Sequence, residues 1–84
     1  LIVRLAAQSN LSAVAIFGSV ARGESTESSD LDLLVDTTAE TSLIDMARFE
    51  RDMETLFEVP VDVIARSSLD PERDEAILRE AIAL

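Results

Sequence analysis

Phe17-Gly18-Ser19-Val20-Ala21-Arg22-Gly23-Glu24 and, a few positions on, Ser29-Asp30-Leu31-Asp32-Leu33-Leu34-Val35 form the stretch on which the fold turns. The apolar run Ala13-Val14-Ala15-Ile16-Phe17 leads into it and reads as a short buried strand. Gly18-Ser19 breaks that strand, and Val20-Ala21-Arg22 reads as one helical turn ended by Gly23. Residues 24–29 contain no apolar side chain, which predicts an exposed loop. Leu31, Leu33 and Val35 then alternate with Asp30, Asp32, Leu34 and Asp36, the period-2 pattern of a second strand.

Working outward, residues 1–9 read as a helix stopping near Asn10 in a left-handed cap. Ser42 followed by Asp45 resembles a capping box, and Leu43, Ile44, Met46, Ala47, Phe49, Met53, Leu56 and Phe57 continue at helical spacing. Residues 59–65 predict a third strand, with Val59, Val61 and Val63 on one face and Pro60, Asp62 and Ile64 on the other. Asp70-Pro71 is a helix start, and the helix is expected to run to the end through Ile77, Leu78, Ala81 and Leu84. Helices and strands alternate as αβαβαβα, which predicts one α/β domain over residues 1–84. The apolar residues of both terminal helices exceed what so small a domain can cover. They predict an exposed patch that docks a partner or a second copy, a homo-oligomer in the latter case.

Composition narrows the chemistry. Seventeen acidic residues against seven basic ones give a net charge of −10, and every basic residue is arginine. The absence of Cys and His removes zinc sites, disulfides, thiol nucleophiles and Ser-His-Asp triads. The absence of Lys removes the Walker A loop, the kinase ATP lysine and Schiff-base chemistry. So acidic a chain is not expected to bind nucleic acid directly or to adsorb to anionic membranes. Apolar runs of about five residues are far short of the roughly 18 that span a bilayer. No signal peptide is visible, so a cytoplasmic location is expected, and the start at Leu1 rather than Met points to a trimmed N-terminus.

Five carboxylates (Glu24, Glu27, Asp30, Asp32, Asp36) lie between Gly23 and Asp36 with no positive side chain among them. Asp30 and Asp32 fall on one strand face, with Cα atoms about 6.5–7 Å apart from the strand rise. Like charges so close raise one another's pKa unless a cation neutralises them, and oxygen-only ligation of this kind suits Mg²⁺. Asp62, bracketed by valines, completes a three-carboxylate cluster if the two strands are neighbours. Taken singly, each feature has a plainer reading. An Asp-x-Asp can be a solvated strand face, Asp62 an edge-strand charge against aggregation, Gly18-Ser19 a turn and Arg22 a surface arginine.

Together these residues resemble the nucleotidyltransferase motif of the DNA polymerase β superfamily: Gly-Ser, ten residues, then Asp-x-Asp. A chance match is on the order of one in a thousand at roughly 5–7% usage for each fixed residue. Length and strand order resemble the minimal nucleotidyltransferases, among them antitoxins paired with HEPN-domain toxins. The resemblance implies a polymerase β-like fold, a small mixed sheet of three or four strands flanked by helices. It implies Asp30, Asp32 and Asp62 as catalytic carboxylates holding Mg²⁺, with two ions, and Gly18, Ser19 and Arg22 as the residues that bind the triphosphate of ATP. It further implies AMP transfer to a tyrosine of a HEPN toxin, with the acceptor presented by that partner chain. Two alternatives stay open: a nucleotidyltransferase subunit serving a small-molecule acceptor with a helical partner, and a non-catalytic module that neutralises a toxin by binding it.

Overall fold

The computed structural model describes residues 1–23 and 30–84; the loop expected at 24–29, with Glu24, Glu27 and Ser29, lies outside the described residues. In chain order the elements are α1 (Ile2–Gln8), β1 (Leu11–Phe17), β2 (Leu31–Thr37), α2 (Leu43–Phe57), β3 (Val61–Ala65), a 3-10 turn (Arg66–Ser68), α3 (Glu75–Glu80) and β4 (Ile82–Ala83). The sheet order is β3-β2-β1-β4. β1 runs antiparallel to β2 and to β4, whereas β2 and β3 are parallel and joined through α2. The result is the mixed α/β sheet with flanking helices that the motif implied.

Local chemistry explains most boundaries. Asn10 adopts the left-handed conformation (φ 60°) where α1 was expected to stop, and its side-chain amide donates to Asp45 Oδ2 at 3.1 Å. The capping box of α2 is complete: Asp45 N–H donates to Ser42 Oγ at 3.0 Å, and Ser42 N–H donates to Asp45 Oδ2 at 3.0 Å. Arg48 adds an ion pair to Asp45 Oδ1 at 2.7 Å. The Asn10 hydrogen bond, followed by that from Ser42 N–H, holds the Asp45 carboxyl below its ordinary range. Asp45 therefore supports folding above its unfolded pKa, near 4, and that support is lost as pH falls through the lowered folded value. Replacing Ser42 by Ala is expected to cost about 1 kcal/mol in a urea titration, with the function of the distant sheet end untouched.

Strand alternation builds two apolar layers. Leu31, Leu33 and Val35 of β2 join Val14, Val61, Phe49, Met53 and Ala6 in a buried cluster under α1 and α2. On the opposite face Leu34, Ala15 and Phe17 are buried beneath Leu69, Ile77, Leu78 and Ala81. Asp32 and Asp36 share that second face by the same alternation.

The C-terminal expectation needs correcting. The helix does not run from residue 71 to Leu84. Asp70 does cap a turn, its Oδ1 accepting from Glu72 N–H at 2.8 Å and Arg73 N–H at 3.2 Å. Asp74 Oδ2 returns to Asp70 N–H at 2.9 Å, and regular α-helix begins only after this closed turn, at Glu75. Past Glu80 the backbone becomes extended at Ala81 (φ −62°, ψ 131°), and β4 pairs with β1 as a fourth strand.

Of the terminal apolar residues, Ile77, Leu78 and Ala81 pack on the sheet, whereas Leu1, Val3, Ile82 and Leu84 stay exposed. Leu1, Ile2, Val3, Leu56, Phe57 and Leu84 line a shallow groove of about 500 Å³. Among the described residues no helix is long and apolar enough to cross a membrane.

Candidate active site

The end of the sheet where β1 stops and β2 starts gathers the singled-out residues. Phe17, the last residue of β1, is the register partner of Asp32. On the other side of β2, Asp32 is the register partner of Asp62 in the parallel pairing. Adjacent strands lie about 4.8 Å apart, and register partners in neighbouring strands project to the same face. Asp30 immediately precedes β2 and is exposed; Asp32 is half-buried, and Asp62 is exposed on the edge strand β3. Asp62 is thus not a desolvated core carboxylate. Flanking Val61 is buried while Asp62 points to the solvent side with Asp32 for a neighbour.

Electrostatics tie the three together. Partial burial raises the pKa of Asp32, the charges of Asp62 and then Asp30 raise it further, and Arg22 opposes them. The sign is opposite to that of Asp45. A carboxylate whose folded pKa is raised penalises the folded state as pH climbs from the unfolded value through the folded one. Asp32→Asn is therefore expected to raise the melting temperature of the nucleotide-free chain at neutral pH, with the gain vanishing near pH 3. Paired thermal melts at the two pH values check both the sign and the window.

Gly18 explains how the turn meets this cluster. Its φ of +76° suits glycine, and a Cβ there would collide with Asp32 Oδ2 and lie 3.2 Å from Asp32 Cγ. The bare Cα is what lets the backbone after β1 lie against the Asp32 carboxylate. Ser19 and Val20 follow half-buried in a hydrogen-bonded turn rather than the expected helical element, with Arg22 N–H donating to Gly18 C=O at 3.1 Å and Gly23 N–H to Val20 C=O at 3.1 Å. Arg22 Nη1 reaches across to Glu80 Oε2 in α3 at 3.1 Å. Sequence reasoning did not single out Glu80. It lies 58 positions from Arg22, and no local pattern marks such a pairing.

Among the described residues no three Asp, Glu, His or Cys side chains stand close enough to form a ready metal cage. The donor set nevertheless fits a hard divalent cation of the kind that takes one or two protein carboxylates and completes its shell with phosphate oxygens and water. A zinc-type site is excluded by a sequence with neither His nor Cys.

A mixed sheet, a Gly-Ser turn laid on the first strand pair and carboxylates on the adjoining strands define a polymerase β-like nucleotidyltransferase. The chain belongs to the nucleotidyltransferase domain family, whose sequence model matches residues 3–84. It is 40% identical over 67 residues to MJ0435 of Methanocaldococcus jannaschii, provisionally named a protein adenylyltransferase, covering 80% of this chain and 72% of that protein. A solved structure provisionally described as a minimal nucleotidyltransferase superposes with TM-score 0.87 at 44% identity, covering 99% of this chain and 85% of the other. A solved complex of tri-AMPylated HEPN toxin with MNT antitoxin, from Shewanella oneidensis, contains a chain matching with TM-score 0.69. That match covers 98% of this chain and 64% of the other, and at 15% identity it is a likeness of fold alone.

Proposed function

We propose that this nucleotidyltransferase moves AMP from ATP to a tyrosine hydroxyl of a HEPN-domain partner and so acts as an antitoxin. The observation that carries this is the register of Asp32 with Asp62 beside a glycine turn that closes on the Asp32 carboxylate. The name of MJ0435, a relative 40% identical, supports a protein as acceptor.

Each residue has a task in that reaction. Gly18 lets backbone amides approach the triphosphate, and Ser19 supplies a hydroxyl and an N–H to a β- or γ-phosphate oxygen. Asp30, Asp32 and Asp62 would hold Mg²⁺, two ions, whose charge when bound offsets the triphosphate and favours ionisation of the acceptor hydroxyl. Asp62, exposed at the edge of the sheet, would take the acceptor proton. The acceptor oxygen then bonds to the α-phosphorus, the bond to the β-phosphate oxygen breaks, and pyrophosphate leaves. With no lysine in the sequence, Arg22 is the side-chain cation assigned to the phosphates.

Binding tests the nucleotide half of the proposal. Mg²⁺ with ATP should raise the melting temperature of the parent chain, since a ligand that binds only the native state stabilises it. Either component alone should do much less, and Asp32→Asn should abolish the effect. No metal-dependent ATP binding by calorimetry, with the partner present, would sink the enzymatic proposal.

A further inference from the structure

Arg22 and Glu80 form an ion pair between the turn that carries the candidate phosphate site and the last residue of α3. Both side chains are substantially exposed, at 44% and 37%, so the pair contributes little to stability as such. Its location is more informative than its strength. After Glu80 and the single residue Ala81 the chain becomes β4, which pairs with Ala15 and Ile16 of β1, the strand that ends one residue before Gly18. Ile77, Leu78 and Ala81 pack on Ala15, Phe17 and Leu34 of the same sheet face. The backbone that bears Glu80 is therefore fixed to the strand that feeds the turn. Arg22, by contrast, sits on a short turn and has a long side chain with many rotamers to lose.

We infer that Glu80 is a positioning residue for the nucleotide. Its carboxylate holds the Arg22 guanidinium over the Gly18 turn, so that the arginine meets the β- and γ-phosphates already oriented. Ordering a binding group in advance raises affinity by reducing what must be ordered on association. The need is acute in a chain of net charge −10 whose site is itself anionic. Arg22 also lies close enough for its charge to act on Asp32. Arg66 with Asp36 at 2.6 Å, the pair that β2 itself bears on this sheet face, stands further along β2, away from the turn. The inference rests on the nucleotide site proposed above and adds to it a residue outside the motif.

The test is a double-substitution cycle read by calorimetry with Mg²⁺ and the ATP analogue AMP-PNP, with no acceptor present so that no AMP is transferred, on Arg22→Gln, Glu80→Gln and the pair together. Glu80→Gln should melt near the parent temperature yet bind AMP-PNP about fivefold to tenfold more weakly. Its affinity for AMP, which lacks the β- and γ-phosphates, should be unchanged. Adding it to Arg22→Gln should cost nothing further, because Glu80 acts through Arg22. Glu80→Asp, which keeps the charge on a shorter stem, should fall between. The inference is overturned if Glu80→Gln or Glu80→Asp binds AMP-PNP as well as the parent or better, or if the two Gln losses simply add. A parent chain that fails to bind AMP-PNP at all overturns the nucleotide site itself, and the inference with it.

Discussion

Asp62→Asn is expected to slow AMP transfer by about a hundred- to ten-thousand-fold, the range for removing a general base, while metal–ATP affinity changes far less. Asp32 lies against the turn proposed to receive the triphosphate and Asp30 is its near neighbour in sequence, so their Asn variants should lose binding and transfer together. Asp62 lies one strand further out, exposed, in register with Asp32. In the proposed reaction it would address the acceptor side, and interactions made chiefly in the transition state show up in rate rather than ground-state affinity. The substitution is nearly isosteric and removes one charge from an anionic site, so the fold should survive and the metal-free chain should be no less stable. Single-turnover transfer and calorimetric ATP affinity, measured on the same preparation, separate the two effects. Transfer near the parent rate would return Asp62 to the role of an edge-strand charge that discourages aggregation.

Gly18→Ala should be the most damaging single-methyl change in the molecule. The left-handed backbone costs a non-glycine residue about 1–3 kcal/mol. The new Cβ would also drive into the Asp32 carboxylate, which must swing away to admit it. Displacing a reacting group by about 1 Å costs on the order of a hundredfold in rate, so transfer should fall at least that far. Gly23→Ala is the internal control. Gly23 has the same kind of backbone (φ +72°), but nothing lies within 4 Å of its would-be Cβ. It should share the loss of stability seen in denaturant titrations and retain most of the transfer activity. Equal losses of activity in the two variants would show that backbone strain, and not the approach to Asp32, is what matters at Gly18.

Much of this layout was legible from single residues. Asn10, Ser42 with Asp45, and the alternation of Leu31, Leu33 and Val35 each act through local hydrogen bonds or strand period, and each stands where it was expected. The strand edges shifted by two residues. β1 starts at Leu11, and β3 starts after Pro60, whose carbonyl accepts from Leu31 N–H at 2.9 Å. β4 was not legible. Ala81, Ile82 and Leu84 continue the spacing of Ile77 and Leu78 well enough to pass for helix, and a two-residue strand has no period of its own. What decides it is tertiary pairing, with Ala83 and Ile82 opposite Ala15 and Ile16 and Leu84 N–H on Val14 C=O at 3.0 Å. The motif residues were found through the resemblance of Gly18-Ser19 and Asp30-Leu31-Asp32 to the nucleotidyltransferase motif, and the register of Asp62 was a conditional expectation that the parallel β2–β3 pairing meets. Glu80 escaped notice because an ion pair across the fold leaves no trace in local sequence.

Transfer itself is the decisive measurement. The chain should be incubated with the proposed HEPN-domain partner, Mg²⁺ and ATP labelled at the α-phosphate, and the products resolved by gel and by mass spectrometry of the partner's peptides. The expected result is AMP attached to a tyrosine of the partner, its toxic activity silenced, and both effects lost in Asp32→Asn. The 84 residues contain no tyrosine, so the modified side chain cannot be their own. Silencing of the partner without any label would contradict enzymatic transfer and identify a binding module, and label confined to a small molecule would contradict the protein acceptor.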